Sequence, residues 1–366
     1  MTDLLSGSDA LVHASIAAGC RFFAGYPMTP ATKLLEGFAK HLPEHGGVCV
    51  NAESELEAVG MVWGAAAAGA RAATGSTGQG LALMQESFSE LAMTELPLVI
   101  FNMSRGQGDY FQSTRGGGHG DYRHIVLAPI DITEGAALTI LAFDLADRWR
   151  IPVLVLGDYL LGHAYETVEI TTDGVAPAPP KEWALDGSTS GSGRAKIVSP
   201  YGIVKGAASN DEQETEAYDK RVFAKYPKIQ QTETRIETRW LDDADVVVTA
   251  WGSTAKFVRY AVAQLRERGH RIGFVRPITL WPFPTDAVAA AAEQRSAMLV
   301  FELNLGQMVD DVRLAVLGRC PVHFIGDYTM DTSNFGLGPL LNVDVIRDRI
   351  LEATLNAVGS AKEGNA

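Results

Sequence analysis

Residues 71–103 read RAATGSTGQGLALMQESFSELAMTELPLVIFNM, one complete strand–helix–strand passage. Arg71–Ser76 and Leu98–Met103 have the length of strands, and Gly80–Thr94 between them makes about four helical turns. Strands joined through a helix lie parallel in one sheet.

Outward from this passage the pattern repeats. Gly47–Asn51 and Val153–Gly157 read as further strands, and Ser8–Ala18, Pro30–Lys40, Glu53–Ala68 and Thr133–Trp149 as helices. The alternation predicts an α/β fold, a parallel sheet with helices on both faces. A second block starts near Asp245, with strands at Val246–Thr249, Ile272–Arg276, Met298–Glu302 and Val322–Ile325. Its helices are Thr254–Arg268 and Asn342–Val358. The division expected is therefore 1–170, a connector 171–243, and 244–366. The connector holds Pro177, Pro179 and Pro180, a glycine–serine run from Gly187 to Gly193, and a mixed-charge run to Arg239. That composition suggests a mobile loop followed by a helical connector, too long for a plain linker and expected to pack along one domain.

The 366 residues suffice for roughly two buried cores. A formal charge of −13 argues against a general nucleic-acid binder. No apolar run approaches the ~18–20 residues that span a bilayer, and Met1 to Gly7 lacks a basic signal-peptide start, so a cytoplasmic protein is expected. Cys20, Cys49 and Cys320 form no CxxC, which argues against a self-contained iron–sulfur or zinc site.

Four stretches could carry chemistry. In Gly25-Tyr26-Pro27-Met28-Thr29-Pro30, Thr29 suits a helix N-cap and Pro30 a first helical turn. That is either ordinary capping or a place where an anion binds. In Glu53-Ser54-Glu55-Leu56-Glu57, Glu53 and Glu57 share one helical face, whereas Glu55 falls in a row with Val59, Val62 and Ala66. A carboxyl group in an apolar row is a candidate acid/base residue; an acidic first turn is the plain alternative. Thr74-Gly75-Ser76-Thr77-Gly78-Gln79-Gly80 lacks the lysine of a P-loop, yet its glycines allow a ligand close to the backbone. Arg105 to Arg123 is glycine-rich, carries Arg115 and His119 as well, and shows no helix or strand pattern. It follows a strand, where α/β sheets bind ligands, and is either a site loop or a flexible surface loop.

Together these stretches resemble one family. The first and second stretches, Gly116-Gly117-Gly118-His119-Gly120-Asp121-Tyr122-Arg123, Lys181-Glu182-Trp183-Ala184, Arg276-Pro277-Ile278-Thr279-Leu280-Trp281-Pro282 and Glu302-Leu303-Asn304-Leu305-Gly306-Gln307 look like signatures of the α subunit of the thiamine-diphosphate-dependent 2-oxoacid:ferredoxin oxidoreductases. The likeness is to the 2-oxoisovalerate and 2-oxoglutarate branch. It implies a pyrimidine-binding thiamine-diphosphate domain followed by a transketolase-C-terminal-like domain. Glu55 would be catalytic, hydrogen-bonding N1′ of the cofactor's aminopyrimidine. Tyr26, Pro27, Ser76 and Thr77 would line the cofactor pocket with it. Thr29, Arg105 and His119 would contact the substrate, Arg105 by clamping its carboxylate.

The resemblance also implies partners. Gly157-Asp158-Tyr159 and Gly326-Asp327-Tyr328 lack the following residues of a Mg²⁺-diphosphate motif. Mg²⁺ and the iron–sulfur cluster are thus expected on other chains: a β subunit that completes the thiamine diphosphate site, and a ferredoxin or ferredoxin-like subunit. A small 2-oxoacid and coenzyme A would be the substrates, and no metal is expected on this chain. One departure stands out. Arg105 reaches Asp109-Tyr110-Phe111-Gln112 through Gly106-Gln107-Gly108 alone, shorter than is usual in the family. That favours, as the alternative, a non-oxidative decarboxylase or carboligase on the same scaffold.

Overall fold

The computed structural model describes residues 2–171, 178–185, 212–326 and 342–363. Two sheets carry these residues. The larger has seven strands, in spatial order Thr279–Trp281, Ile125–Leu127, Pro152–Asp158, Leu98–Ser104, Ala72–Ser76, Phe22–Gly25 and Val48–Asn51. Six run parallel, and Thr279–Trp281 lies antiparallel at one edge. The smaller has five, in order Val322–Phe324, Ala297–Val300, Val246–Thr249, Ile272–Pro277 and Ile236–Arg239, the last antiparallel. Thr2–Ser6 and Tyr165–Glu169 form a separate antiparallel ribbon.

Every residue of Ala72–Ser76 and Leu98–Ser104 is buried, because helices cover both sides of the sheet. On one side pack Glu55–Ala67 and Gly78–Met93; on the other lie Gly7–Ala17, Thr32–His41 and Ile132–Trp149. No helix among the described residues is long and apolar enough to cross a membrane.

The strand Thr279–Trp281 comes from the second block of sequence and completes the sheet built by the first. Its predecessor, Ile272–Pro277, belongs to the smaller sheet, and Ile278 alone separates the two. The buried Arg276 fixes this crossing, with two 2.8 Å hydrogen bonds to the Glu134 carboxylate and one to Glu237.

The connector divides its contacts. Glu212–Phe223 and Lys225–Thr232 are helices, and Tyr226 and Ile229 enter the core under the larger sheet. Its end, Ile236–Arg239, instead extends the smaller sheet. The Lys181-Glu182-Trp183-Ala184 stretch docks on the end of the Glu55–Ala67 helix, with the Leu185 N–H on the Ala67 carbonyl at 2.9 Å. Pro177 and the run from Gly187 to Gly193 lie outside the described residues, as do Asp327 and Tyr328.

Two local expectations need correction. Thr29 is not an N-cap: the Thr32 N–H bonds the Met28 carbonyl at 3.1 Å, so the chain makes a further turn and the helix opens at Thr32 behind Ala31. The Arg105–Arg123 stretch is not free of helix either. Gln107–Asp109 form a 3₁₀ turn and Tyr110–Thr114 a short helix, whose buried Tyr110, Ser113 and Thr114 fall at helical spacing on one face.

Candidate active site

Glu55 is the first residue of the helix Glu55–Ala67. Ser54, in extended conformation, is its N-cap and accepts the Glu57 N–H at 3.3 Å. The Glu57 carboxylate in turn accepts the Glu53 N–H at 2.9 Å. Two of the three acids thereby serve an exposed helix start, and the third turns inward: Glu55 is only 3% exposed, in line with buried Val59, Val62 and Ala66. Its Oε1 accepts a 3.0 Å hydrogen bond from Ser76 Oγ. Its Oε2 has no hydrogen bond among the described residues.

The space Glu55 fills exists because residue 80 is glycine. A Cβ there would overlap Ser76 Oγ and Glu55 Oε1 and lie 2.8 Å from Glu55 Cγ. The glycine-rich turn after Ala72–Ser76 therefore lets a side chain, Glu55, reach the start of the next helix. A buried carboxyl with one oxygen held and the other free, beside a cradle without a Cβ, fits the aminopyrimidine of thiamine diphosphate, which offers a nitrogen to share a proton.

Thr77 stands at the N-cap position of the helix Gly78–Met93 without a side-chain capping bond, and its hydroxyl lies 2.7 Å from Met28 Sδ and 3.1 Å from Gln79 Oε1. The segment with Tyr26 and Pro27, both exposed, thus sits across from Ser76 and Thr77. Arg105 leaves the end of Leu98–Ser104 and donates from Nε to the Thr29 carbonyl at 3.1 Å. Its two terminal nitrogens and the Thr29 hydroxyl have no hydrogen bond among the described residues. The structure brings Glu55 to Ser76, Thr77 to Met28, and Arg105 to Thr29.

His119 goes elsewhere. Its Nδ1 is 2.6 Å from Glu86 Oε1, its backbone N–H donates to Glu86 Oε2 at 3.1 Å, and Nε2 is 3.9 Å from Glu90 Oε1. These glutamates lie six and ten residues beyond Gly80 on one helix, roughly 9 and 15 Å along its axis. The glycines flanking His119 let the loop reach them.

Asp109 carries no sequence signal of a site role, yet it stands against the glycine-rich turn. A Cβ on Gly78 would overlap its carboxylate, and Asn102 Nδ2 donates to its Oδ2 at 3.1 Å. Burial pushes its carboxyl upward, opposed by hydrogen bonds from Ser104, Asn102 and Gln112. Asp158, of the Gly157-Asp158-Tyr159 stretch, is engaged structurally: it accepts the Leu161 N–H at 2.8 Å and the Ser253 hydroxyl.

Comparison with known proteins follows the same lines. Residues 13–232 match the family model described as pyruvate flavodoxin/ferredoxin oxidoreductase, thiamine diphosphate-binding, and residues 244–332 match pyruvate:ferredoxin oxidoreductase core domain II. The ketoisovalerate oxidoreductase subunit VorB of Methanothermobacter thermautotrophicus is 38% identical over 324 residues, covering 86% of this chain and 90% of its own. The 2-oxoglutarate synthase subunit KorA of the same organism is 37% identical over 350 residues, covering 88% and 93%. Among solved structures, the 2-oxoglutarate:ferredoxin oxidoreductase from Magnetococcus marinus, with 2-oxoglutarate, coenzyme A and succinyl-CoA bound, matches with a TM-score of 0.79 at 27% identity. The match covers 96% of this chain and 65% of that one, so the chain spans just under two thirds of its length. An inactive β4 tetramer of a split-gene transketolase shares the fold alone, with a TM-score of 0.56 at 13% identity.

Proposed function

From the premise that the chain belongs to the thiamine-diphosphate-dependent 2-oxoacid:ferredoxin oxidoreductase family, we propose that it is the α-type subunit of an enzyme that oxidatively decarboxylates a branched-chain or 2-oxoglutarate-like acid. Electrons pass to ferredoxin, the acyl group to coenzyme A, and CO₂ is released. The observation that carries this reading is the buried Glu55, with Oε1 held by Ser76 and Oε2 free.

Thiamine diphosphate, when bound, supplies a nucleophilic carbon that makes loss of CO₂ from a 2-oxoacid accessible. This chain's part is to hold and to position. Glu55 shares a proton at Oε2 with the aminopyrimidine, and the Ser76 hydroxyl keeps the carboxyl from rotating. Tyr26, Pro27 and Thr77 wall the same side. Arg105, anchored through Nε on the Thr29 carbonyl, presents its terminal nitrogens as a two-pronged donor to the substrate carboxylate, with the Thr29 hydroxyl beside it. His119 is left out of this site, since its Nδ1 is paired with Glu86 on the helix Gly78–Met93.

The diphosphate and its Mg²⁺ belong to a β subunit, since Asp158 is already committed to Leu161 and Ser253. Cluster chemistry belongs to a ferredoxin-type partner, since Cys20, Cys49 and Cys320 lack the spacing of cluster ligands. The assembly is proposed to work in the cytoplasm.

A second reading, a non-oxidative decarboxylase or carboligase, is favoured by the short Gly106-Gln107-Gly108 segment. Co-purified enzyme given a 2-oxoacid, coenzyme A and ferredoxin decides between them. Acyl-CoA with reduced ferredoxin supports the oxidoreductase, and free aldehyde or a coupled hydroxyketone supports the alternative. In the same assembly Glu55→Gln should slow exchange of the cofactor's C2 proton by roughly 10²–10⁴-fold, and Glu53→Gln should do little.

A further inference from the structure

Directly after Arg105 the chain passes through Gly106-Gln107-Gly108, where two glycines leave the backbone free and one side chain must hold it. Gln107 is 3% exposed, and a buried amide has to find partners. It finds all of them in the unit of the smaller sheet. Nε2 donates to the Trp251 carbonyl at 3.0 Å, and Oε1 accepts the Leu303 N–H at 2.8 Å. Its own carbonyl accepts Asn304 Nδ2 at 2.9 Å.

The residues around it are gripped from the same place. Gln307 donates from Nε2 to the Gly108 carbonyl at 2.9 Å and accepts the Phe111 N–H at 2.8 Å. The Tyr110 hydroxyl donates to Asp311 at 2.7 Å. The receiving turn is itself rigid, because the fully buried Glu302 carboxylate accepts the N–H groups of Gln307, Met308 and Val309 at 3.1, 2.8 and 3.0 Å, and Asn304 Nδ2 at 3.1 Å. This explains the Glu302-Leu303-Asn304-Leu305-Gly306-Gln307 stretch: it is a socket for the loop that begins at Arg105.

Arg105 has only one bond of its own among the described residues, to Thr29, so its placement depends on where the loop is pinned. We propose that Gln107 is a positioning residue for Arg105, through which the second unit sets the depth at which the guanidinium meets the substrate carboxylate. The proposal rests on the reading of Arg105 as the carboxylate clamp. It assigns the second unit a direct part in binding the 2-oxoacid, although none of that unit's side chains needs to touch it.

The test uses the assembled enzyme with 2-oxoisovalerate and 2-oxoglutarate as probes. Gln107→Met keeps the length of the side chain and removes both of its hydrogen bonds. KM for the accepted acid should rise about five- to thirtyfold, the worth of one or two net hydrogen bonds, with kcat and exchange of the cofactor's C2 proton little changed. Gln107→Asn, still polar but too short for both partners, should raise KM in the same way and covers the case in which Gln107→Met fails to fold. In an Arg105→Lys background Gln107→Met should add little, because the two act on one contact. An unchanged KM in both Gln107 variants, beside a raised KM in Arg105→Lys, overturns the proposal alone. So do equal losses in kcat, KM and proton exchange with a lowered Tm, which would make Gln107 a folding residue. An unchanged KM in Arg105→Lys overturns the clamp and this proposal with it.

Discussion

Gly80 leaves the space that the Glu55 side chain fills: any Cβ at residue 80 would overlap the glutamate's Oε1 and the Ser76 hydroxyl that holds it. The two residues lie in different helices, Glu55 at the start of one and Gly80 in the first turn of the next. The carboxyl thus reads the position of the neighbouring helix.

Gly80→Ala tests that dependence. Within a helix alanine is favoured over glycine by about 1 kcal/mol, and overpacking costs about 1–3 kcal/mol, so the fold should survive with a small loss of Tm. The carboxyl must move, however, and a misplacement near 1 Å costs on the order of 10²-fold in rate. Exchange of the cofactor's C2 proton in the assembled Gly80→Ala enzyme is the measurement. A rate equal to that of the unaltered enzyme would mean that Glu55 has slack.

Arg105→Lys should keep the charge and lose the paired geometry. Charge-assisted hydrogen bonds contribute about 1.5–3 kcal/mol, so kcat/KM for the 2-oxoacid should fall roughly 10- to 150-fold while cofactor proton exchange is untouched. Steady-state kinetics run beside proton exchange check this. Parallel losses in both would move Arg105 out of substrate binding.

The isolated chain should bind thiamine diphosphate poorly, because the Asp158 carboxylate of its Gly157-Asp158-Tyr159 stretch is spent on Leu161 and Ser253. Titration calorimetry with and without Mg²⁺ measures it. Tight, Mg²⁺-dependent binding to the chain alone would contradict the division of the site between subunits.

His124 is buried against Phe88 and Tyr122, and burial pushes its imidazole down to about 4. The unfolded chain binds that proton near the ordinary value of about 6.5, so stability from this group is complete above pH 6.5 and is lost as pH falls toward 4. Between pH 7 and pH 5 the loss should be roughly 2 kcal/mol. Denaturant unfolding of the protein and of His124→Phe at both pH values checks this; the variant should lose less stability on acidification by about that amount, and equal losses would refute it.

Much of this was legible in the sequence where burial is two-sided. Leu98–Ser104 is buried throughout, so Leu98–Phe101 reads as an apolar run without alternation. Glu55 was separable from Glu53 and Glu57 because helical periodicity alone places it with Val59 and Val62. What stayed hidden depends on contacts distant in sequence. Three residues, Thr279–Trp281, carry no periodicity that could announce a change of sheet. Thr29 has the composition of a cap, but the turn closed by Met28 and Thr32 shifts the helix beyond it. Gln107 looks like one more polar residue in a glycine-rich loop, since its partners lie well over a hundred residues onward. His119 has the right chemistry for a substrate contact, and only the folded helix reveals that Glu86 pairs with its Nδ1.

The antiparallel strand Thr279–Trp281 has a mechanical consequence. Enzymes of two units commonly admit substrate by swinging one against the other about a hinge. Here the second unit has a strand hydrogen-bonded into the first unit's sheet, with Arg276 tied across the junction to Glu134. Rotation of the units would have to tear a ladder and separate a partly buried ion pair. Within this chain, therefore, the two units behave as one stiff body, and a hinge at Ile278 is not available to it.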